Sequence, residues 1–503
     1  MYSGVKRRDV WLLRVFIAIA FVALLYYYTW WRSAGILVSL SLAFTAVWAL
    51  IQLAGSWLLY LNARQYSAPP NAIDRPTVDV FVTAYHEPYS LIQRSLSAAC
   101  AMRGAHHTWL LDDGADSALS RLATQLGVGY LTRDDRRDAK AGNINAALAQ
   151  TEGAIVVIFD ADHAPTPDFL ERTLGNFADP AVGFVQVMLT FGNGGQSWVA
   201  RAGGESSYDF YNPTAKGADG LGGATLIGSN ALIRREALAS INGYHPGLAE
   251  DLATSIALHS MGWRSVYVAE PLAPGLAPPD LSAWFTQQLK WARGVFEVLL
   301  TDYPRLFGRL TWGQRLAYGV RLTYYWIGLV VGIHLCFTLG ALFGRTNNAG
   351  TTFQGYLIHI APLAMATLLV RTVALRVWRH PATPTSSLWR ALLLVYLTWP
   401  TYVLAWAMAI LRFPLAFRLT PKLSNGILGI RWILPQIITL FVMSSGIFYA
   451  LLITPQYTQY PLVLAVASLE SIPCVLLLVL WMKSSMRSRH PMASVDTENQ
   501  VAG

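Results

Sequence analysis

The sequence predicts an α/β domain with a mostly parallel sheet, set inside a bundle of membrane-crossing helices. Three observations carry this expectation. Of the 503 residues, 54% are hydrophobic and only 13% are charged, where a soluble domain carries about 25% charged residues. The apolar residues gather in long runs before residue 62 and after residue 317. Between them lies a stretch of ordinary charge in which short strand patterns alternate with helix patterns.

The membrane elements follow from run length. Residues 11–28 and 34–61 are each long enough to cross a ~30 Å hydrocarbon core at about 1.5 Å per residue. No small-residue cleavage site follows the first run. Tyr26-Tyr27-Tyr28 and Trp30-Trp31 form an interfacial aromatic belt instead, so the first helix is retained. Four further spans are expected near 322–343, 356–373, 433–452 and 460–481. The segment 388–411 is apolar enough for another. Residues 281–300 mix apolar positions with Gln287, Gln288, Lys290, Arg293 and Glu297, the pattern of an amphipathic helix lying on the membrane surface. The expected division is a hairpin at 1–67, a soluble domain at 68–280, interface helices at 281–316, a membrane region at 317–482 and a basic tail at 483–503.

The net charge of +9 fits basic residues collected on the cytoplasmic side of a membrane protein, with Lys6, Arg7 and Arg8 at one end and Lys483, Arg487 and Arg489 at the other. Nucleic acid is not an expected partner. Cys100, Cys336 and Cys474 are too far apart for a zinc spacing or a disulfide framework.

Inside the domain, residues 78–83, 108–111, 154–159 and 182–187 read as strands, and 89–102 and 167–177 as helices. In a parallel sheet the ligand sits at the carboxyl ends of the strands, and acidic residues fall there. Asp160-Ala161-Asp162 follows an apolar strand, so its two carboxylates can face one Mg2+ or Mn2+. Asp112-Asp113-Gly114 also ends a strand, and by itself reads equally as a turn. Glu250-Asp251 opens a helix, where acids also serve as simple helix-end charges.

The motifs in order are Tyr85-His86-Glu87-Pro88, Asp112-Asp113-Gly114, Lys140-Ala141-Gly142-Asn143-Ile144-Asn145, Asp160-Ala161-Asp162, Gly228-Ser229-Asn230, Glu250-Asp251 and Gln287-Gln288-Leu289-Lys290-Trp291. The series resembles the processive family 2 glycosyltransferases, the group of cellulose, curdlan, chitin and hyaluronan synthases. Phe417-Arg418-Leu419-Thr420-Pro421-Lys422 resembles the FxVTxK gating loop of bacterial cellulose synthase, with Leu419 in place of valine. That loop is expected at 412–428. The resemblance spans about residues 78–482 and implies a GT-A, Rossmann-like domain.

It also implies roles. Tyr85 and Glu87 would meet the uracil, and Asp112 and Asp113 the nucleoside. Lys140, Gln287 and Lys290 would meet the diphosphate. Asp160 would hold the nucleotide and, with Asp162, the Mg2+ or Mn2+. Asp251, with Glu250 beside it, would be the catalytic base. Trp291, Gly228 and Ser229 would bind the acceptor, and Thr420 and Lys422 would close over the nucleotide. General chemistry agrees. An inverting transfer needs a base for the acceptor hydroxyl and positive charge for the leaving diphosphate, and a flat sugar face suits an aromatic such as Trp291.

Three positions depart from the family. Lys290 stands where the family has arginine, which loses the bidentate fork. Leu226-Ile227-Gly228 replaces Phe-Cys-Gly, and Ala249 replaces the threonine before Glu-Asp. The linkage is therefore left open between β-1,4 and β-1,3. The expected reaction is elongation of a β-glucan from UDP-glucose, with passage of the polymer through the membrane helices. UDP-N-acetylglucosamine or mixed sugars, a non-processive lipid glycosyltransferase, and a transporter with a degenerate domain are the alternatives.

UDP-sugars are cytoplasmic, so the domain is expected inside, on a multi-pass protein of the bacterial inner membrane. If 388–411 crossed, Lys422 and the basic tail would lie outside. That segment is therefore expected to lie in the interface or to re-enter, bent at Pro400, giving six spans. Membrane lipid is an expected partner, and periplasmic or homo-oligomeric synthase partners are left open. About 20 residues follow the last span, too few for a PilZ domain in cis.

Overall fold

A computed structural model describes residues 6–29, 36–67, 69, 76–343, 353–384, 388–416, 420–422, 428–452 and 461–489. The expected aromatic pair Trp30-Trp31, the gating-loop residues 417–419 and 423–427, and the tail 490–503 lie outside the described residues.

The soluble domain is built on nine strands: β1 (Val78–Ala84), β2 (His107–Asp112), β3 (Gly129–Leu131), β4 (Ile155–Asp160), β5 (Val182–Val187), β6 (Thr190–Phe191), β7 (Ala231–Arg234), β8 (Arg264–Val268) and β9 (Pro274–Gly275). Seven form one sheet in the order β3-β2-β1-β4-β7-β5-β8, and β6 pairs with β9. β1 and most of β4 are buried on both faces, as expected of strands with helices above and below. The mostly parallel sheet and its flanking helices are as the sequence predicts.

Two features of the sheet place the site. The chain runs outward from β1 to β2 to β3, then returns to lay β4 on the other side of β1. The carboxyl ends of β1 and β4 therefore form the switch point where open α/β sheets take their ligands. The register aligns Ala84 with Asp112 and Thr83 with Asp160, so both acidic motifs leave the same edge. β7 is antiparallel to β4 and β5. Its first residues thus lie at that edge too, bringing Gly228-Ser229-Asn230 beside Asp160.

Seven helices among the described residues are long and apolar enough to cross a membrane, one more than expected. The helix Arg7–Thr29 packs Leu13, Ile17, Ala20 and Leu24 against Ala366, Val370 and Ala374 of the helix Phe353–Trp378. The second apolar segment passes through a π-turn, Leu50–Ala54. There Gln52 Nε2 donates to Val320 O at 2.7 Å and to Thr323 Oγ1 at 2.8 Å.

The additional helix is Leu388–Ile410. It is one helix with Pro400, the expected bend, inside it. It lies against the domain: Trp284 Nε1 donates to Thr398 Oγ1 and Tyr402 OH donates to Gln288 Oε1, each at 2.9 Å. The helix Leu281–Leu300 lies against it. Gln287, Gln288 and Arg293 on it are buried, Gln288 by Tyr402 of Leu388–Ile410. Two bidentate ion pairs close the junction between domain and membrane helices. Arg390 donates to Glu205 at 2.8 and 2.6 Å, and Arg371 to Asp209 at 2.7 and 3.1 Å.

Candidate active site

The cleft starts where β1 gives way to Tyr85-His86-Glu87. His86 is left-handed, with φ of 60°, and folds the chain so that Glu87 Oε2 accepts from the Tyr85 N–H at 2.5 Å. Burial pushes the Glu87 carboxyl up to about 7, with the Asp160 charge adding to it and Lys422 opposing.

Beyond β2, Asp112 is fully buried. Its oxygens accept from Gly114 N and Asp116 N, each at 2.8 Å, and from Tyr130 OH at 2.9 Å. The structure gives Asp112 the work of holding the turn, with no exposed surface for a nucleoside. Asp113 is clasped by the Arg133 guanidinium at 2.7 and 2.8 Å. The helix Ala139–Leu148 carries the Lys140 motif. Asn143 Nδ2 holds Leu111 O at 3.1 Å, and the Asn145 amide brackets Tyr244, accepting from its N–H and donating to its carbonyl at 2.8 Å each. These asparagines fix the helix that aims Lys140.

Lys140 Nζ donates to Asp160 Oδ1 and, at 2.7 Å, to the Gly228 carbonyl. Gly228 is left-handed, with φ of +85°, and a Cβ there would stand 3.7 Å from Asp251 Oδ2 and 4.0 Å from Lys140 Nζ. The glycine thus lets the backbone pass between the two acid pairs with its carbonyl turned to the lysine. Ser229, expected to bind the acceptor, is completely buried. Its hydroxyl accepts from Asp160 N at 3.0 Å and donates to Asn230 Oδ1 at 3.2 Å. It pins the end of β4 and presents no group to a sugar, which corrects the expectation.

Asp162 is buried and accepts from Lys422 Nζ at 2.8 Å and from Leu276 N at 3.0 Å. Burial opposes its ionisation, but Lys422 and His163 outweigh burial and hold the carboxyl well below the usual range. Asp160 is likewise held low, with burial overcome by Lys140 and His163. His163 was not singled out from the sequence, and its place directly after Asp162 was the only available signal. Asp160, Asp162 and His163 offer donor atoms within 4.8 Å of one another. Both His163 ring nitrogens are buried without a hydrogen-bond partner among the described residues. Two carboxylates and an imidazole whose Nδ1 lies 3.6 Å from Asp162 Oδ1 fit a divalent cation.

Glu250 and Asp251 open the helix Glu250–Ser260. Burial, then the Asp251 charge, pushes Glu250 up; Lys140 and Lys290 pull against this. Asp251 is also pushed up by burial, with Arg321 and Lys140 opposing. From Leu281–Leu300, Lys290 has its ammonium pulled down by burial while Glu250 and Asp160 favour its charge. Gln287 is buried, and Trp291, 37% exposed, stands at the rim. Thr420 and Lys422 are half-buried beside the cleft.

A Rossmann-like sheet with acid pairs at a strand end and at a helix start, and lysines between them, is a GT-A architecture. Residues 76–294 match the family described as "Glycosyltransferase like family 2" and residues 241–378 match "Cellulose synthase". The two matches overlap over residues 241–294. It is 32% identical over 337 residues, 65% of its length, to "Cellulose synthase 2" of Novacetimonas hansenii. It is 36% identical over 263 residues, 50% of its length, to "Cellulose synthase catalytic subunit [UDP-forming]" of Pseudomonas fluorescens (strain SBW25). The matches take in only 21% and 36% of those two proteins. A mannosyltransferase from Pyrobaculum calidifontis, solved with GDP-Man and Mn2+, shares the fold. Its TM-score is 0.52 at 18% identity, over 75% of this chain and 100% of that one.

Proposed function

We propose that this protein is a processive, inverting β-glycosyltransferase that elongates a β-glucan from UDP-glucose and moves it across the bacterial inner membrane. The carrying observation is the Lys422–Asp162 contact at 2.8 Å. It ties a residue that follows three apolar helices to the acid pair at the strand end. The UDP-forming cellulose synthases among its relatives support the donor and the product.

The residues divide the work. Lys140, Lys290 and Lys422 gather positive charge where the diphosphate would leave, a placement that stabilises developing negative charge. Asp160, Asp162 and His163 would hold Mg2+ or Mn2+, which would neutralise part of the diphosphate charge. Asp251 would take the proton of the acceptor hydroxyl as its oxygen attacks the anomeric carbon, with Gly228 keeping the backbone close. Trp291 at the rim offers a flat apolar face to the acceptor sugar.

The same contact supports the orientation. If Lys422 lies on the domain's side of the membrane, an even number of crossings separates it from the domain. Two of the three intervening apolar helices then cross, and Leu388–Ile410, packed on Leu281–Leu300, stays in the interface. A cysteine at Arg412, in the exposed turn after that helix, should react with a membrane-impermeant thiol reagent only once the cytoplasmic face is opened. Labelling from outside would refute the orientation.

The function is tested on the full chain in lipid nanodiscs supplied with radiolabelled UDP-glucose, followed by β-1,4- and β-1,3-specific glucanases. Glucanase-sensitive polymer is expected. Polymer from UDP-N-acetylglucosamine alone, or transfer to lipid without polymer, would overturn the reading.

A further inference from the structure

Between the two acid pairs the chain passes as the loop 226–230, in a backbone conformation that must be held from outside. Gly228 has φ of 85° and Asn230 φ of 56°, left-handed values that persist in a non-glycine residue only where surrounding contacts fix them. A Cβ on Gly228 would stand 3.7 Å from Asp251 Oδ2 and 4.0 Å from Lys140 Nζ. The Gly228 backbone therefore walls the space between the base and the lysine. There the acceptor oxygen must meet the sugar leaving the diphosphate.

The group that holds this wall comes from the middle of the sheet. Gln186 lies on β5, its backbone paired with Ala231 of β7 and Tyr267 of β8, and it is completely buried. Its Oε1 accepts from Ile227 N at 2.8 Å, and its Nε2 donates to Ser229 O at 2.8 Å. These two bonds clamp the residues on either side of Gly228. A third, from Nε2 to Val187 O at 2.8 Å, ties the carboxamide to its own strand. At the start of the loop Leu226 N donates to Ser255 Oγ, whose hydroxyl donates to Asp251 O, each at 2.7 Å. At its end Asn230 Nδ2 donates to Ala273 O at 2.8 Å. Gln186 thus fixes Gly228 to the sheet, whereas Lys140 has a separate anchor on Asp160. An apolar residue in place of Gln186 would strip the buried Ser229 of its carbonyl's donor, which is costly.

We propose that Gln186 is a positioning residue that favours a sugar over water as acceptor, by holding the Gly228 backbone against the acceptor's place in the cleft. The inference rests on the glycosyltransferase reading. In transfer the acceptor O–H bond breaks toward Asp251, the bond from that oxygen to the anomeric carbon forms, and the bond to the diphosphate breaks. Water in place of the sugar hydroxyl gives the same balance, with free glucose and UDP as products. A displaced Gly228 costs the sugar its alignment; water needs little. Departure of the diphosphate is retained, because Lys140 stays on Asp160.

The test supplies the full chain in nanodiscs with radiolabelled UDP-glucose. It compares UDP released with glucose incorporated into polymer for wild type, Gln186→Met and Gln186→Glu. Wild type should release UDP in step with incorporation. Gln186→Met should incorporate about ten- to 10²-fold less at saturating donor, with UDP affinity by calorimetry unchanged. UDP release should fall much less, so the ratio of release to incorporation rises severalfold. Gln186→Glu keeps the length and the acceptor for Ile227 N, and should move the ratio the same way by less. A wild-type ratio, or parallel loss of release and incorporation, would overturn the proposal, since a merely structural residue lowers both together. If Gln186→Met does not bind UDP, the ratio in Gln186→Glu decides; loss of UDP binding in both variants would also overturn it. No UDP release by wild type from any UDP-sugar would instead sink the glycosyltransferase reading itself.

Discussion

The cleft holds two acid pairs and brings them to opposite charge balances. Asp160 and Asp162 end a strand, and each has a lysine at its oxygens and His163 beside both, so both are held ionised. Glu250 and Asp251 open a helix and repel one another, and burial pushes both toward the protonated form. A carboxylate held anionic by cations suits phosphate and metal chemistry. A carboxylate poised by burial suits proton transfer, because general-base catalysis works best near the operating pH. The difference lies in what the rest of the chain brings to each pair, since both are acids close together in sequence.

The largest expected effect breaks the base side. Asp251→Asn should lower transfer by about 10²–10⁴-fold while UDP affinity, read by calorimetry, stays near wild type. Lost UDP binding with intact transfer would reverse the assignment of the two pairs. On the other side, Asp162→Ala should lower the rate by roughly 10²-fold, the scale of losing a charge-stabilising group. The same variant should weaken Mn2+ binding, measured by electron paramagnetic resonance. Full turnover in excess chelator would leave that pair with structure alone.

Lys422→Ala sharpens the comparison and should cost roughly tenfold in rate, because Lys140 and Lys290 remain. With the ammonium gone, Asp162 should titrate closer to the ordinary carboxylate range. The smallest effect concerns stability. Glu250 has its folded-state pKa raised above the unfolded value, so its contribution is fully present below the usual glutamate range. It is lost as pH rises from there toward neutrality. Glu250→Gln should flatten that decline in thermal unfolding scans of the reconstituted protein, and an unchanged slope would remove Glu250 from the balance.

The legibility of these features differed by residue. Asp160-Ala161-Asp162 was readable because a buried strand and the polar residues ending it are adjacent in sequence. Lys140 and Asp251 were found through the ordered motifs, although nothing local tells which acid pair each cation serves. Ser229 was read as an acceptor contact because nothing local marks that its hydroxyl is taken up by Asp160 N and Asn230 Oδ1. Arg133 and His163 passed unnoticed: each is an ordinary polar residue until Asp113 or Asp162 is brought beside it. Leu281–Leu300 read as amphipathic, and nothing local tells that its Trp284 and Gln288 bond to Thr398 and Tyr402.

By itself the sequence determined the partition between membrane and soluble domain, the α/β class and the acids at the strand ends. Each depends on hydropathy and periodicity, which are properties of neighbouring residues. Only the tertiary structure decided the strand order that creates the cleft, the antiparallel β7 and the opposite charge balance of the two acid pairs. Lys422 and Asp162 meet across 260 positions of chain. Electrostatic interaction depends on distance in space and on exclusion of water, and neither is written in local pattern.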